Sequence, residues 1–254
     1  MRALFLTSLF LTTLTAALAG AAQAADIKVL SAGAFKPVLV AMAPAFEQRT
    51  GHKLVIDNDT AGGLVRRIGA GEAFDVVVAP PSALAQMVQA GKVSGASPRA
   101  LARVAIGVAV KGGAPLPDIS TVAAFQKALH SARAVAYIDP AAGGSSGIYL
   151  SQLFERWGLT PMVRAKAVLV PGGLVAARLV TGEADLAIHQ ISEILAVPGV
   201  TLVGPLPAEV QNYTVYSAVA AASPGDANAV RALLEWLASD AAGPVLAAKG
   251  MLAP

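Results

Sequence analysis

The sequence predicts an α/β fold of two lobes with a ligand cleft between them. Short apolar runs with β character alternate with helical periodicity along nearly the whole chain. A strand, Gly-Gly, helix, strand unit occurs twice, and two long extended stretches separate and follow the copies. Alternation of this kind argues for mostly parallel strands joined by helical crossovers.

Taken in order, "MRALFLTSLFLTTLTAALAGAAQA" (Met1–Ala24) sets Arg2 before an apolar stretch and ends on Ala22-Gln23-Ala24. That is the pattern of a cleavable secretory signal peptide, with Ala25 as the first residue of the exported chain. "DIKVLSAGAF" starts as a strand that stops at Gly33, and "PVLVAMAPAFEQRTG" has helical spacing up to Gly51. "HKLVIDNDT" is a strand and "GGLVRRIGAGE" a helix. "FDVVVAPP" is a buried strand, and "SALAQMVQAGKV" is a helix with Ser82 as its expected N-cap. "RALARVAIGVAVKGG" is a first extended crossing. Next come the strand "RAVAYIDP" and the helix "GIYLSQLFERWG", whose core stripe is expected at Ile148, Leu150, Leu153, Phe154 and Trp157. The strand "AKAVLVPG", the helix "GLVAARLVTGE" and the strand "ADLAIHQ" follow. "VTLVGPLPAEVQNYTVYSAVAAA" is a second crossing, and "ANAVRALLEWLASDAAGPVLAAKG" supplies two closing helices. The repeat pairs Thr60–Ala79 with Val170–His189. The expected lobes are residues 25–108 with 213–254, and residues 109–212, hinged at the two crossings.

Composition narrows the function. Without its first 24 residues the 254-residue chain keeps 230, enough for two compact lobes. Of 19 Lys and Arg, 18 remain beside 16 Asp and Glu, a net charge near +2. Such a balance is not the footprint of a nucleic-acid binder. The scattered basic residues form no membrane-binding patch, and beyond the N-terminus no apolar run reaches spanning length. With no cysteine, stability rests on the core and not on disulfides.

Ligands of open α/β sheets bind where strands end and helices begin. Four such junctions are rich in small residues: "SAGAF", "TAGG", "AAGGSSG" and "PGG". Glycine lets backbone N–H groups approach a ligand, and each helix start adds about half a positive charge, so four junctions point to an anion cleft. "GGSSG" also fits G-x-S-x-G with Ser145 central, which would make a nucleophile elbow if Asp185 and His189 completed a triad. Asp139–Ala142 separates the strand from the glycines, however, and an elbow has no such insertion. The preferred reading is an anion cradle built from Gly144, Ser145, Ser146 and Gly147. No metal-ligand spacing and no phosphate-binding P-loop occurs, so neither a metal nor another cofactor is expected.

On "SAGAFKPVLVAMAPAFEQRTG", "AGGLVRRIGAGEAFDVVVAP", "YIDPAAGGSSGIYLSQLFERWGL" and "GEADLAIHQISEIL", the chain resembles the type II periplasmic solute-binding proteins, and among them the molybdate-binding superfamily. The resemblance implies two α/β lobes closing on a small anion in the periplasm. It also implies a monomer that serves the membrane subunits of an ABC importer. Serines of the molybdate binders correspond here to Ala34 and Ala61, and a tyrosine to His189. In exchange the chain offers Lys36, Arg66, Arg67 and His189, which favours a di- or tricarboxylate over a spherical oxyanion because guanidinium matches carboxylate geometry. Substrate-binding residues are therefore expected at Gly33, Ala34, Lys36, Gly62, Arg66, Arg67, Gly144, Ser145, Ser146 and His189. The chain also resembles the branch that includes aconitate isomerase. For an isomerase, which catalyses a 1,3-proton shift, His189 is the expected base; a pure binder needs no catalytic residue.

Overall fold

The computed structural model describes residues 24–254, so most of the Met1–Ala24 signal-peptide reading lies outside it. The order along the chain begins β1 (Asp26–Ala32), α1 (Lys36–Thr50), β2 (Lys53–Asp59), α2 (Ala61–Gly69), β3 (Val76–Ala79) and α3 (Pro81–Gln89). It continues with β4 (Arg99–Lys111), α4 (Val122–Ser131), β5 (Val135–Ile138), α5 (Ser145–Arg156), α6 (Thr160–Arg164), β6 (Ala167–Val170) and α7 (Ala177–Val180). β7 (Leu186–Gln190), α8 (Ile191–Ile194), β8 (Val200–Pro205), β9 (Tyr213–Ala220), α9 (Ala227–Leu237), α10 (Ala242–Ala248) and β10 (Met251–Leu252) complete it.

The fold is two-lobed and α/β. In the first lobe β1 lies between β2 and β3, parallel to both. In the second, β5 lies between β6 and β7, again parallel to both. The long β4 joins the halves. Its segment up to Ala105 pairs antiparallel with β9, and from Ile106 onward it pairs with β7 and β8. The buried apolar residues divide at the same place: one cluster takes Ile27–Ala105 with Ile191 and Tyr216–Met251, and two others take residues between Ile106 and Val197, with Leu206. The side-chain amide of Gln211 clamps this point, accepting from Ile106 N–H at 3.0 Å and donating to Ile106 C=O at 2.9 Å.

The sequence repeat has a structural counterpart. Asp75, before β3, accepts the N–H of Lys28 at 2.8 Å, and Asp185, before β7, accepts the N–H of Ala134 at 2.9 Å. Each aspartate thus ties its strand to the start of the neighbouring parallel strand. Arg67–Glu72 and Arg178–Glu183 are likewise paired five residues apart in both copies.

Four local expectations are corrected. Helix α3 begins at Pro81 after an extended Pro80, so Ser82 lies inside the helix and caps nothing. Ile148 is exposed, while Leu150, Leu153 and Phe154 carry the core face of α5. The second crossing is broken by a 3-10 turn at Ala208–Val210, where Pro205 and Pro207 cannot donate ladder hydrogen bonds. The helix of the second repeat shrinks to α7. Thr60 caps α2 by accepting from Gly63 N–H at 2.9 Å, whereas the second copy has Val170 at that position and a left-handed Gly173 (φ +82°).

Candidate functional site

Four strand ends open into one cleft. Its cavity volume is about 30 Å³, between the turn after β1, the β2–α2 junction, the β5–α5 junction and the β7–α8 junction. Of the expected site residues, Gly33, Ala34, Gly144, Ser145, Ser146 and His189 line it. The first N–H groups of a helix have no partner within the helix. α5 starts at Ser145 with no side-chain cap, so its N-terminus presents those donors toward the cleft. Together with the start of α2 at Ala61, this concentrates positive helix-dipole ends on one small volume.

The basic residues are placed differently. Lys36 reaches an adjoining cavity that shares Gly33, Asn58, Gly173 and Glu193 with the cleft, and its ammonium donates to Asn58 Oδ1 at 2.6 Å. Arg66 is exposed beside Gly62. Arg67 is committed to acids of its own lobe. It holds Glu72 through two bonds of 2.7 and 2.8 Å, meets Asp57 at 2.5 Å and lies 3.7 Å from Asp59. Hydrogen bonds to Glu72 and Asp57 raise its pKa further, and the same pairing holds the Glu72 carboxyl down at about 2. Arg67 offsets the charge of Asp59 on the cleft wall and is not available as a carboxylate fork.

Gly62 does not line the cleft. Its N–H donates to Gly143 C=O at 3.1 Å, and Thr60 Oγ1 donates to Ala142 C=O at 2.5 Å. A Cβ on Gly62 would come within 2.8 Å of Gly143 Cα. On another wall, Ser192 Oγ donates to Ala34 C=O at 2.8 Å. The lobes therefore touch directly on both sides of the cleft.

Polar side chains fill the floor. Ser145 Oγ accepts from Gln190 Nε2 at 3.2 Å and lies 3.4 Å from Thr214 Oγ1, which itself accepts from Gln190 Nε2 at 2.8 Å. Tyr216 is buried beside them, and desolvation pushes its hydroxyl pKa up. His189, at the end of β7, is 2 % exposed; its Nε2 lies 3.3 Å from Glu193 Oε2 on α8. Nδ1 of His189 and Oε1 of Gln190 have no partner in the protein. Burial drives both members of the pair toward neutrality, His189 down to about 3 and Glu193 up to about 8. No hydrolase triad forms, because Asp185 is engaged by the backbone of Arg133 and Ala134 and His189 pairs with Glu193.

The sequence reading missed Asn58, Asp59, Gln190, Glu193 and Tyr216. Glu193 had a signal: it is a lone acid in the apolar run "ISEILAV", four residues after His189. Among the described residues no group of three or more His, Cys, Asp or Glu side chains is placed to hold a metal ion.

A two-lobed α/β chain with a small polar cleft at its strand ends has the architecture of a periplasmic binding protein. The family described as bacterial extracellular solute-binding protein matches residues 27–252, and the chain belongs to it. The chain is 39% identical to an aconitate isomerase of Pseudomonas sp over 231 residues, covering 89% of this chain and 87% of that one. Its fold is similar to the Azotobacter vinelandii periplasmic molybdate-binding protein, with TM-score 0.75 and 20% identity over 90% of this chain and 99% of the other. It is also similar to the sulfate-binding protein SubI from Mycobacterium tuberculosis H37Rv, with TM-score 0.73 and 17% identity over 90% of this chain and 87% of the other.

Proposed function

We propose that the exported chain binds a small polycarboxylate in this cleft and interconverts cis- and trans-aconitate in the periplasm. One observation carries the reading: a buried histidine lines the cleft with one ring nitrogen free of any protein partner. A pure binder needs no such nitrogen, whereas a 1,3-proton shift needs one base that takes a proton and returns it. The similarity to an aconitate isomerase over 89% of the chain supports the same choice.

In this reading His189 removes a proton from the methylene carbon next to the double bond. The electron pair spreads over the allylic carbons and the adjoining carboxylate, and the proton returns at the far carbon. Backbone N–H groups at Ser145 and Ser146 and the hydroxyl of Ser145 hold carboxylates, with Lys36 reaching one that extends into the adjoining cavity. Lobes at residues 25–108 with 213–254, and at 109–212, close over the substrate. The buried clusters and the Gln211 clamp support two lobes with the first changeover at Ala105–Ile106, three residues before that boundary, and with Ile191 packed into the first lobe.

A second reading, capture of a carboxylate for an ABC importer, is favoured by the lobe-to-lobe hydrogen bonds at Gly62 and Thr60, which serve ligand trapping equally well. One experiment separates the two. The chain is incubated with cis-aconitate while proton NMR follows the trans isomer, and calorimetry is run with both isomers, citrate, molybdate and tungstate. Turnover supports the isomerase. Binding of carboxylates without turnover selects capture, and tight molybdate binding with no carboxylate response refutes both.

A further inference from the structure

We propose that Glu193 and His189 act as one base, with Glu193 fixing the tautomer of His189 and relaying its proton while Nδ1 is the atom that meets the substrate. This rests on the isomerase reading and assigns Glu193 as its positioning residue. The geometry has three parts. His189 Nε2 lies 3.3 Å from Glu193 Oε2, so that nitrogen belongs to the pair. Nδ1 has no protein partner on a ring that lines the cleft. Glu193 is itself 8 % exposed and lines both the cleft and the adjoining cavity.

The proton balance follows from these positions. Before reaction Glu193 is ionised and accepts the Nε2–H of His189, which leaves the Nδ1 lone pair without a protein partner. The substrate C–H bond breaks and an Nδ1–H bond forms. The Nε2 proton then crosses to Glu193, so both side chains stay uncharged while the carbanion exists. Return of the proton from Nδ1 to the other allylic carbon, and of the Glu193 proton to Nε2, restores the starting state. No oxidant, reductant or co-reactant takes part. A buried imidazolium formed without this relay would carry the cost of an isolated charge.

The pair titrates as a unit. Its active form lacks the Glu193 proton, and burial places that loss near pH 8. Turnover therefore rises with pH through that region. The titratable groups that share its cavities are Tyr216 from β9, Asp59 from β2, Lys36 from α1 and Lys249 after α10. Of the elements packed on α8, β4 and β8 contribute no side chain to either cavity.

The test uses the full chain with 15N-labelled histidine, the signals of His52 and His130 being assigned by replacement. In the wild type, the His189 ring nitrogens titrate between pH 7 and 9. Glu193→Gln abolishes that titration. With cis-aconitate as substrate, the same variant loses roughly 100-fold or more in kcat with KM changed less than about threefold, while Glu193→Asp recovers part of kcat and keeps the pH dependence. A His189 signal that does not titrate in that window, or one unchanged in Glu193→Gln, overturns the pairing. An unchanged kcat in Glu193→Gln overturns the relay. If the wild type turns over no aconitate, the isomerase reading fails and the histidine spectra still decide whether the pair exists.

Discussion

Gly62→Ala should separate closure of the cleft from stability of the lobe. The new methyl would sit 2.8 Å from Gly143 Cα and 3.3 Å from Ala142 O, both backbone atoms that cannot swing aside. Relief requires the lobes to part by several tenths of an ångström, which stretches the 3.1 Å Gly62–Gly143 hydrogen bond and the Thr60–Ala142 bond beside it. Two weakened hydrogen bonds of about 1 kcal/mol each give about 2 kcal/mol against the closed form. In the open form the same substitution places alanine in the first turn of α2, which favours the helix by roughly 0.5–1 kcal/mol. The two effects have opposite signs and act on different equilibria. Ligand affinity should fall about tenfold or more, because only the closed fraction grips the ligand, while the thermal midpoint of the free protein holds or rises. Calorimetry with trans-aconitate and thermal unfolding without ligand read the two quantities. Unchanged affinity in Gly62→Ala would refute the steric reasoning, as would a large drop in the midpoint of the free protein.

Other outcomes follow from single contacts. Arg67→Leu removes the ion pair of Asp57 and leaves Glu72 with Lys28 alone, so the thermal midpoint should fall by about 2–4 °C, with aconitate affinity nearly unchanged. Ser145→Ala removes an acceptor for Gln190 and a cradle hydroxyl; calorimetry should show roughly a tenfold weaker carboxylate, with the fold intact by circular dichroism. Gln211→Ala should speed exchange of the Ile106 amide hydrogen, measured by hydrogen exchange, without altering the fold. Stability should peak between about pH 4.5 and 6.5. His189, lowered from 6.5 to about 3, binds more protons when unfolded, so its contribution is lost as pH falls through that window. Glu193, raised from 4.5 to about 8, binds more protons when folded, so its contribution is lost as pH rises. The two slopes cancel where they overlap. Denaturant unfolding at stepped pH should show a decline on each side that Glu193→Gln removes on the alkaline side only.

Much of the fold was legible because parallel strands and their crossovers leave local marks. Val76–Ala79 of "FDVVVAPP" is fully buried as β3, and the repeat that pairs Thr60–Ala79 with Val170–His189 places Asp75 and Asp185 in matching roles. The misread elements were set by tertiary partners. Ser82 looks like a cap until Pro81 takes the first helical position, and the second Gly-Gly looks like a helix start until the missing threonine and the left-handed Gly173 delay it.

The site divides along the same physical line. Glycine and serine at helix starts act through backbone N–H groups, whose position is fixed by the local fold, so "GGSSG" and His189 could be assigned to the cleft from sequence. Long charged side chains go where their partners are. Arg67 has Asp57 ten residues before it and Glu72 five after, and together they claim the guanidinium for the lobe itself. Glu193 is the converse case. An acid in an apolar run is costly to bury unless it is neutral or paired, and here it has both a lowered charge and a histidine 3.3 Å away. The cleft thus meets an anion with oriented N–H groups and polar side chains, while its cations balance acids or stand at the margin. Such a wall can close over a polycarboxylate without fixing a counter-charge at the reacting carbon, where a proton must leave and come back.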